Sequence, residues 1–202
     1  FIGIGSTASN KVKIEGEKSS NVHFAIDFLT GIQKRNLGNK NAQYINVEDK
    51  KVVVIGGGDT AMDCVRTSVR EGATSVKCLY RRDEANMPGS KKEVVNAKEE
   101  GVEFVFNVSP KSIKVENDLA VGVELLETSM SKSDTSGRQK VVLIEGSEYL
   151  EDADVIILAL GFSPEIPSFL KELNVETNSW GGIVVDSNFK TSNKKVYAGG
   201  DC

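Results

Sequence analysis

The chain has 202 residues, 39% of them hydrophobic and 27% charged, with a net charge of -4, which is enough apolar material for one large domain or two small ones. Lys and Arg are mixed with Asp and Glu along the whole length, which argues against nucleic acid as a partner. The longest unbroken apolar run, Val155 to Leu160, falls far short of the roughly 20 residues that a membrane-spanning helix needs. The three cysteines, Cys64, Cys78 and Cys202, form no C-x-x-C pair for zinc or an iron–sulfur cluster, so reduced thiols in a cytoplasm are expected.

Phe1 to Gly5 reads as the end of a strand, and residues 6 to 20 as a polar connector. From Asn21 to Arg35, Val22, Ala25, Ile26 and Leu29 fall at i, i+3, i+4 and i+7, with Phe28 and Ile32 widening the stripe. That spacing predicts an amphipathic helix with Ser20 or Asn21 as N-cap. After a polar loop, Val52 to Ile55 is a β-branched run of the kind a buried parallel strand shows, and it ends in Gly56-Gly57-Gly58. Ala61, Val65 and Val69 predict a helix closed at Gly72 by a left-handed cap. Ser75 to Tyr80 is a second strand. Ser90 to Glu93 reads as a capping box opening a helix that closes at Gly101, and Val102 to Val108 is a third strand.

Next come short strands without helices between them: Ser112 to Val115, the alternation Val121/Val123/Leu125, and Val141 to Ile144. They are parted by Asn117-Asp118 and by a polar loop from Ser129 to Gly137. Val155 to Leu160 is a fourth core strand ending at Gly161. The tail is read as loops with a short strand at Ile183 to Val185, and then Val196 to Asp201 as a strand running into a Gly-Gly turn. The expected fold class is α/β: a Rossmann-like parallel sheet with helices on both faces and an antiparallel β-meander laid over it. The abrupt first and last strands suggest a piece of a longer protein.

The sharpest motif is Gly56-x-Gly58-x-x-Ala61, directly after one strand and directly before one helix. In that setting the first Gly permits a tight turn, the second lets a pyrophosphate approach the backbone, and the small third residue lets helix and strand pack closely. The phosphates would meet free N–H groups at the positive end of the helix. At the end of the second strand, where an NAD site carries an acid for the ribose 2′-hydroxyl, this chain has Arg81-Arg82. A guanidinium grips a 2′-phosphate through charge-assisted bonds, which favours NADP(H). Asp83 and Glu84 follow immediately, so a two-residue shift of the strand end would restore an NAD reading, and a solvated charge run remains the bland alternative. Cys64 and Cys78 read as buried, inert thiols. His23 reads as a helix-surface partner of Asp27, and Trp180 beside Gly181-Gly182 as a packed turn. No catalytic triad, histidine cluster or P-loop is present, so neither catalytic nor metal-binding residues are expected.

These residues carry a resemblance. KVVVIGGGDTAMDCVRTSVR from Lys51 to Arg70, followed by YRRDEANMPGS from Tyr80 to Ser90, closely resembles the NADPH-binding domain of the glutamate synthase small (beta) subunit and its paralogous oxidoreductases. VHFAIDFL from Val22, EGVEF from Glu100 and AGGD from Ala198 are similar to the same family. The resemblance implies an NADPH domain inserted into an FAD domain. Residues 1–20 would then be the outgoing crossing and connector, 21–192 the NADPH-binding domain and 193–202 the return strand. It implies that Gly56, Gly58, Asp59, Thr60 and Ala61 hold the pyrophosphate, with Gly57 in the same cofactor turn, and that Arg81 and Arg82 hold the 2′-phosphate. Gly161 would lie on the nicotinamide side, and Gly200 and Asp201 would belong to the FAD contact. It further implies hydride transfer from NADPH to FAD in the full-length protein, with iron–sulfur clusters passing electrons to a large subunit that makes glutamate from glutamine and 2-oxoglutarate. Nothing here resembles the first FAD-binding segment or the cysteine-rich cluster region, so this chain alone is expected to bind NADP(H) without catalysis. A paralogous reductase with another acceptor, and a Rossmann-like interaction module without cofactor, stand as the alternatives.

Overall fold

The computed structural model describes residues 1–131 and 139–202. In chain order its elements are β1 (Ala8–Ser9), β2 (Val22–Phe24), α1 (Ala25–Asn36), β3 (Lys51–Ile55), α2 (Asp59–Arg70), β4 (Ser75–Tyr80), α3 (Lys91–Glu99) and β5 (Glu103–Phe106). There follow β6 (Val108–Glu116), β7 (Leu119–Met130), β8 (Val141–Leu143), β9 (Tyr149–Asp152), β10 (Val155–Leu158), β11 (Phe162–Ser163) and α4 (Phe169–Glu172). They fall into two units, Lys11–Leu160 and a smaller one formed by Phe1–Asn10 with Gly161–Cys202.

In Lys11–Leu160 five strands pair in parallel in the order β2-β10-β3-β4-β5. The central strands are buried on both faces, which is why they read as continuous apolar runs rather than as alternation. Val52, Val54, Val155 and Ile157 pack with Phe28 and Ile32 of α1, Met62 and Val65 of α2, and Val94 of α3. Their neighbours Val53, Ile55, Ile156 and Leu158 point the other way, onto Ile113, Val123 and Leu125 of the meander. Each helix crossover, from β2 to β3, β3 to β4 and β4 to β5, steps the same way across the sheet. Right-handed crossovers then put all three helices on one face, so the expected helices on both faces become helices on one face and the antiparallel strands on the other. β7 pairs antiparallel with β6 along one edge and with β8 and β9, and β10 returns from this layer into the gap between β2 and β3.

The α/β class, the parallel sheet and the meander agree with the sequence reading, and β3 and β4 lie where they were expected. Gly72 closes α2 at φ 84, with its own N–H on the Val69 carbonyl and the Ala73 N–H on that of Ser68. Several boundaries differ. Residues 22 to 24 are strand, not helix: the true stripe is Ala25, Phe28, Leu29 and Ile32, three residues later, while Val22 and Phe24 pack on the meander side. Asn21 is consequently no N-cap. Its side-chain amide donates to the carbonyls of Ala120 and Asp154 and its Oδ1 accepts the Ala120 N–H, each at 2.8 Å. The third strand stops at Phe106 because Asn107, at φ 56, turns the chain off the sheet, a conformation Asn tolerates. Asn117 and Asp118, both at positive φ, make the two-residue hairpin turn that suits right-twisted strands. β7 runs through Met130, so the expected loop begins later than Ser129, and its residues 132–137 lie outside those described.

The smaller unit is held by short pairings. β1 pairs antiparallel with β11, Ile2 bridges Ala198, and Ile183, Val185 and Tyr197 make single bridges where short strands were expected. Ile2, Leu170, Val175, Ile183 and Ala198 form its apolar centre.

Candidate functional site

The turn from β3 to α2 is built from three glycines that are needed for different reasons. A Cβ on Gly56, at φ 149, would stand 2.9 Å from the Ala159 carbonyl carbon and overlap its oxygen; the turn is that close because the Ala159 N–H donates to the Ile55 carbonyl at 2.9 Å. On its other side the Gly56 N–H bonds the Leu79 carbonyl at 3.0 Å, and the Cys78 thiol donates to the Gly56 carbonyl at 3.3 Å. A Cβ on Gly57 would run into the ring of Tyr80. Gly58, by contrast, has an ordinary backbone (φ -88, ψ 179) and nothing within 4 Å of where its Cβ would be. It caps α2 without a side chain, so the N–H groups of Asp59 and Thr60 have no carbonyl one turn back, whereas those of Ala61 and Met62 donate to the Gly58 carbonyl. Behind them Ala61 is fully buried, as close packing of helix on strand requires.

β4 ends at Tyr80, next to the glycine turn in the sheet, so Arg81 and Arg82 leave the carboxyl edge where ligands of open α/β sheets bind. Their backbone is fixed from the meander side: Thr128 Oγ1 donates to the Arg81 carbonyl at 3.0 Å, and the Asn107 N–H to that of Arg82 at 3.1 Å. The Arg81 side chain is exposed. Arg82 is half-buried, and its Nε is shielded from solvent without an acceptor, a donor whose desolvation an incoming anion would offset. Asp83 and Glu84 each make a local contact. Asp83 Oδ1 accepts the Asn86 N–H at 2.9 Å in a short turn, and Glu84 pairs with Lys98 at 2.7 Å.

Two contacts that sequence reasoning missed lie beside the turn. The Asp59 carboxylate accepts the Ser90 N–H at 2.7 Å, and the Gly89 N–H donates to the Gly57 carbonyl at 2.9 Å. The expected capping box at Ser90 is therefore not formed. Ser90 is the N-cap of α3 but makes no side-chain cap bond, and Glu93 pairs instead with Arg66, which also holds Glu100 at 2.7 Å. The Arg66 guanidinium keeps the Glu100 carboxyl below its usual range.

Gly161, Gly200 and Asp201 belong to the smaller unit. Gly161 (φ 81) follows β10 and its carbonyl accepts the Asn10 N–H at 3.0 Å; Gly200 (φ 88) has open space at its Cβ position. Asp201 is exposed, and its carbonyl accepts the Ser6 hydroxyl at 2.5 Å. Cys64 and Cys78 are buried, and burial pushes both thiols up, Cys78 to about 12. His23 lies in β2 rather than on a helix face; burial lowers its pKa and Asp27 only partly opposes that. Trp180 sits in a turn held by Asn178 Oδ1 but is 80% exposed, so the turn is not packed around its ring. A cleft of about 580 Å³ on the meander, lined by Ile113, Glu124, Tyr149 and Leu150 among others, lies away from the glycine turn. Among the described residues no group of three metal-ligating side chains comes together, and no helix is long and apolar enough to cross a membrane.

A strand, a glycine turn, a helix and a second strand ending in arginines are the parts of a dinucleotide-type α/β fold. Residues 1–202 match the family described as pyridine nucleotide-disulphide oxidoreductase, and the chain belongs to it. It is 46% identical over 209 residues to the glutamate synthase [NADPH] small chain of Escherichia coli (strain K12), a match covering 100% of this chain and 44% of that one. It is 44% identical to the putative oxidoreductase AegA of the same organism, with 100% and 32% covered. The resemblance read from the motifs is thus borne out, and the chain spans less than half the length of these relatives. Among solved structures, T. acidophilum thioredoxin reductase is similar at a TM-score of 0.70 and 22% identity, covering 98% of this chain and 55% of that one. Mycobacterium tuberculosis FprA in complex with NADPH is similar at 0.74 and 15%, covering 98% and 56%. At those identities the likeness is one of fold.

Proposed function

We propose that Lys11–Leu160 is an NADP(H)-binding unit, and that the protein acts as an NADPH-dependent flavoprotein oxidoreductase of the glutamate synthase small-subunit type. The observation that carries the reading is the open side of Gly58 at the start of α2, with Arg81 and Arg82 issuing from the neighbouring strand end. The fit to the cofactor rests on this chain's own groups. The space at Gly58 and the first N–H groups of α2 suit a pyrophosphate, with Thr60 and Ala61 in the same turn. The orphaned Arg82 Nε and the exposed Arg81 suit a 2′-phosphate. Asp83 Oδ1 accepts the Asn86 N–H and Glu84 pairs with Lys98, local contacts that favour the arginines over these acids as the ribose-facing groups.

When bound, NADPH supplies a hydride; this chain's residues bind and orient it, as protein groups do in cofactor enzymes. Gly161, Gly200 and Asp201 are assigned to the nicotinamide side and to FAD by the family resemblance. The same resemblance names FAD as hydride acceptor, iron–sulfur clusters and a large subunit as the onward route, and glutamate synthesis in a cytoplasm as the outcome. On this reading the chain binds NADP(H) but needs its flavin-binding part for turnover. A paralogous reductase with a different final acceptor is the second reading, favoured by the near-equal match to AegA.

Arg81→Ala and Arg82→Ala test the cofactor assignment. Loss of a hydrogen bond to a charged group, about 1.5–3 kcal/mol, weakens NADP+ roughly 10- to 150-fold and leaves NAD+ nearly unchanged. Equal loss of both cofactors refutes the 2′-phosphate role.

A further inference from the structure

The arginines sit on a loop, Arg81 to Ser90, that is clamped where it leaves the sheet and again where it enters α3. The first clamp is the pair of bonds from Thr128 and Asn107 to the carbonyls of Arg81 and Arg82. Midway, Tyr80 Oη donates to the Asn86 carbonyl at 2.8 Å. The last clamp is made by the glycine turn itself: the Gly57 carbonyl takes the Gly89 N–H at 2.9 Å and Asp59 Oδ1 takes the Ser90 N–H at 2.7 Å. The approach is close, since a Cβ on Gly89 would stand 3.0 Å from the Gly57 oxygen. Asp59 is the side chain of the glycine motif that reaches across. As a carboxylate it has no donor to offer a phosphate, and its charge beside one would repel it.

We propose that Asp59 is a positioning residue rather than a phosphate ligand: by holding the Ser90 N–H it fixes the loop that presents Arg81 and Arg82 to the turn, and so sets the preference for NADP(H) over NAD(H). This rests on the cofactor reading above. The two halves of the conspicuous sequence, GGGD and MPGS, are then one device, in which the turn that receives the pyrophosphate also orients the group that selects the 2′-phosphate. Preorganised groups lose less on binding than mobile ones, so loosening this clamp penalises only the cofactor that uses the arginines.

The test is calorimetric titration of this chain with NADP+ and NAD+ in three variants. Asp59→Ala removes the acceptor. Ser90→Pro removes the donor at a φ of -55 that proline adopts; it keeps the Asp59 carboxylate in the chain, but the ring Cδ takes the place of the N–H and turns that carboxylate away. Asp59→Asn keeps an acceptor oxygen. Asp59→Ala and Ser90→Pro each weaken NADP+ roughly 10-fold and NAD+ less than about 2-fold, while Asp59→Asn stays within about 3-fold of the wild type, magnitudes typical of coupling within one hydrogen-bond network. In the Arg81→Ala/Arg82→Ala background Asp59→Ala has no further effect on NADP+. In the unliganded chain the Ser90 amide exchanges slowly, and Asp59→Ala releases it. Equal weakening of both cofactors, unchanged NADP+ binding, or an effect that persists without the arginines overturns the proposal. If Asp59→Ala does not fold, Ser90→Pro and Asp59→Asn decide by the same criteria. A wild-type chain that binds neither dinucleotide refutes the cofactor reading before any substitution is made, and this assignment with it.

Discussion

Replacing Gly56 and Gly58 separately by alanine should split stability from binding. At Gly56 a side chain must adopt φ 149 and displace the end of β10, since its Cβ would lie 2.9 Å from the Ala159 carbonyl carbon. The backbone strain costs on the order of 1–3 kcal/mol and the overpacking about 1–3 kcal/mol more. At about 2–4 °C per kcal/mol for a chain of this size, Tm falls roughly 5–20 °C. At Gly58 the backbone suits any residue and the Cβ meets nothing within 4 Å. Alanine is the poorer N-cap, but it also restricts the unfolded chain by about 0.4–1 kcal/mol, and the two effects nearly cancel. The methyl nevertheless stands where the pyrophosphate is placed. Losing one charge-assisted bond there weakens binding roughly 10- to 150-fold, and equally for NADP+ and NAD+, which share the pyrophosphate. Thermal melts and calorimetry on the two variants read both quantities. A Gly58→Ala chain that binds like the wild type, or a Gly56→Ala chain that melts like it, refutes the separate roles given to the two glycines.

Other outcomes follow from the same structure. Asn21→Ala removes three side-chain bonds that tie β7 to the approach of β10, so it should lower stability by about 2–4 kcal/mol, measured by urea unfolding, with cofactor affinity unchanged. The native chain should react with a thiol reagent at pH 8 at Cys202 alone. Cys64 and Cys78, buried and with raised thiol pKa values, should react only after denaturation, because the thiolate is the nucleophile. The imidazole of His23 has a lowered pKa, burial outweighing Asp27, so its contribution is complete above the unfolded value of 6.5 and is lost as pH falls through the lower folded value. Denaturant midpoints should therefore drop below pH 6.5, and His23→Gln should flatten that slope.

Much of this was legible because local chemistry and tertiary role coincide. Val52 to Ile55 are apolar on both faces because both faces are covered, and Gly56 and Gly57 stand where Ala159 and Tyr80 leave no room for a side chain. The misreading at residues 22 to 24 arose because Val22 is in phase with the helix stripe by accident. The strand is three residues long, and no Gly, Pro or polar cap marks where α1 begins at Ala25. The one-sided helices depend on the order of strands, which a sequence does not display. Asp59 and Ser90 are 31 residues apart, so their bond is invisible to spacing rules. A capping-box pattern in fact pointed Ser90 and Glu93 toward each other, while Arg66 on the adjacent helix took Glu93.

The central claim is that Lys11–Leu160 carries an NADP(H) site made by the glycine turn and the arginine pair. Its most direct test is a parallel calorimetric titration of the wild-type chain with NADP+ and NAD+ at low and high salt. The account predicts tighter NADP+ binding, and a preference that shrinks as salt screens the exposed arginine. Equal affinity for the two cofactors at both salt concentrations, or no binding of either, contradicts it.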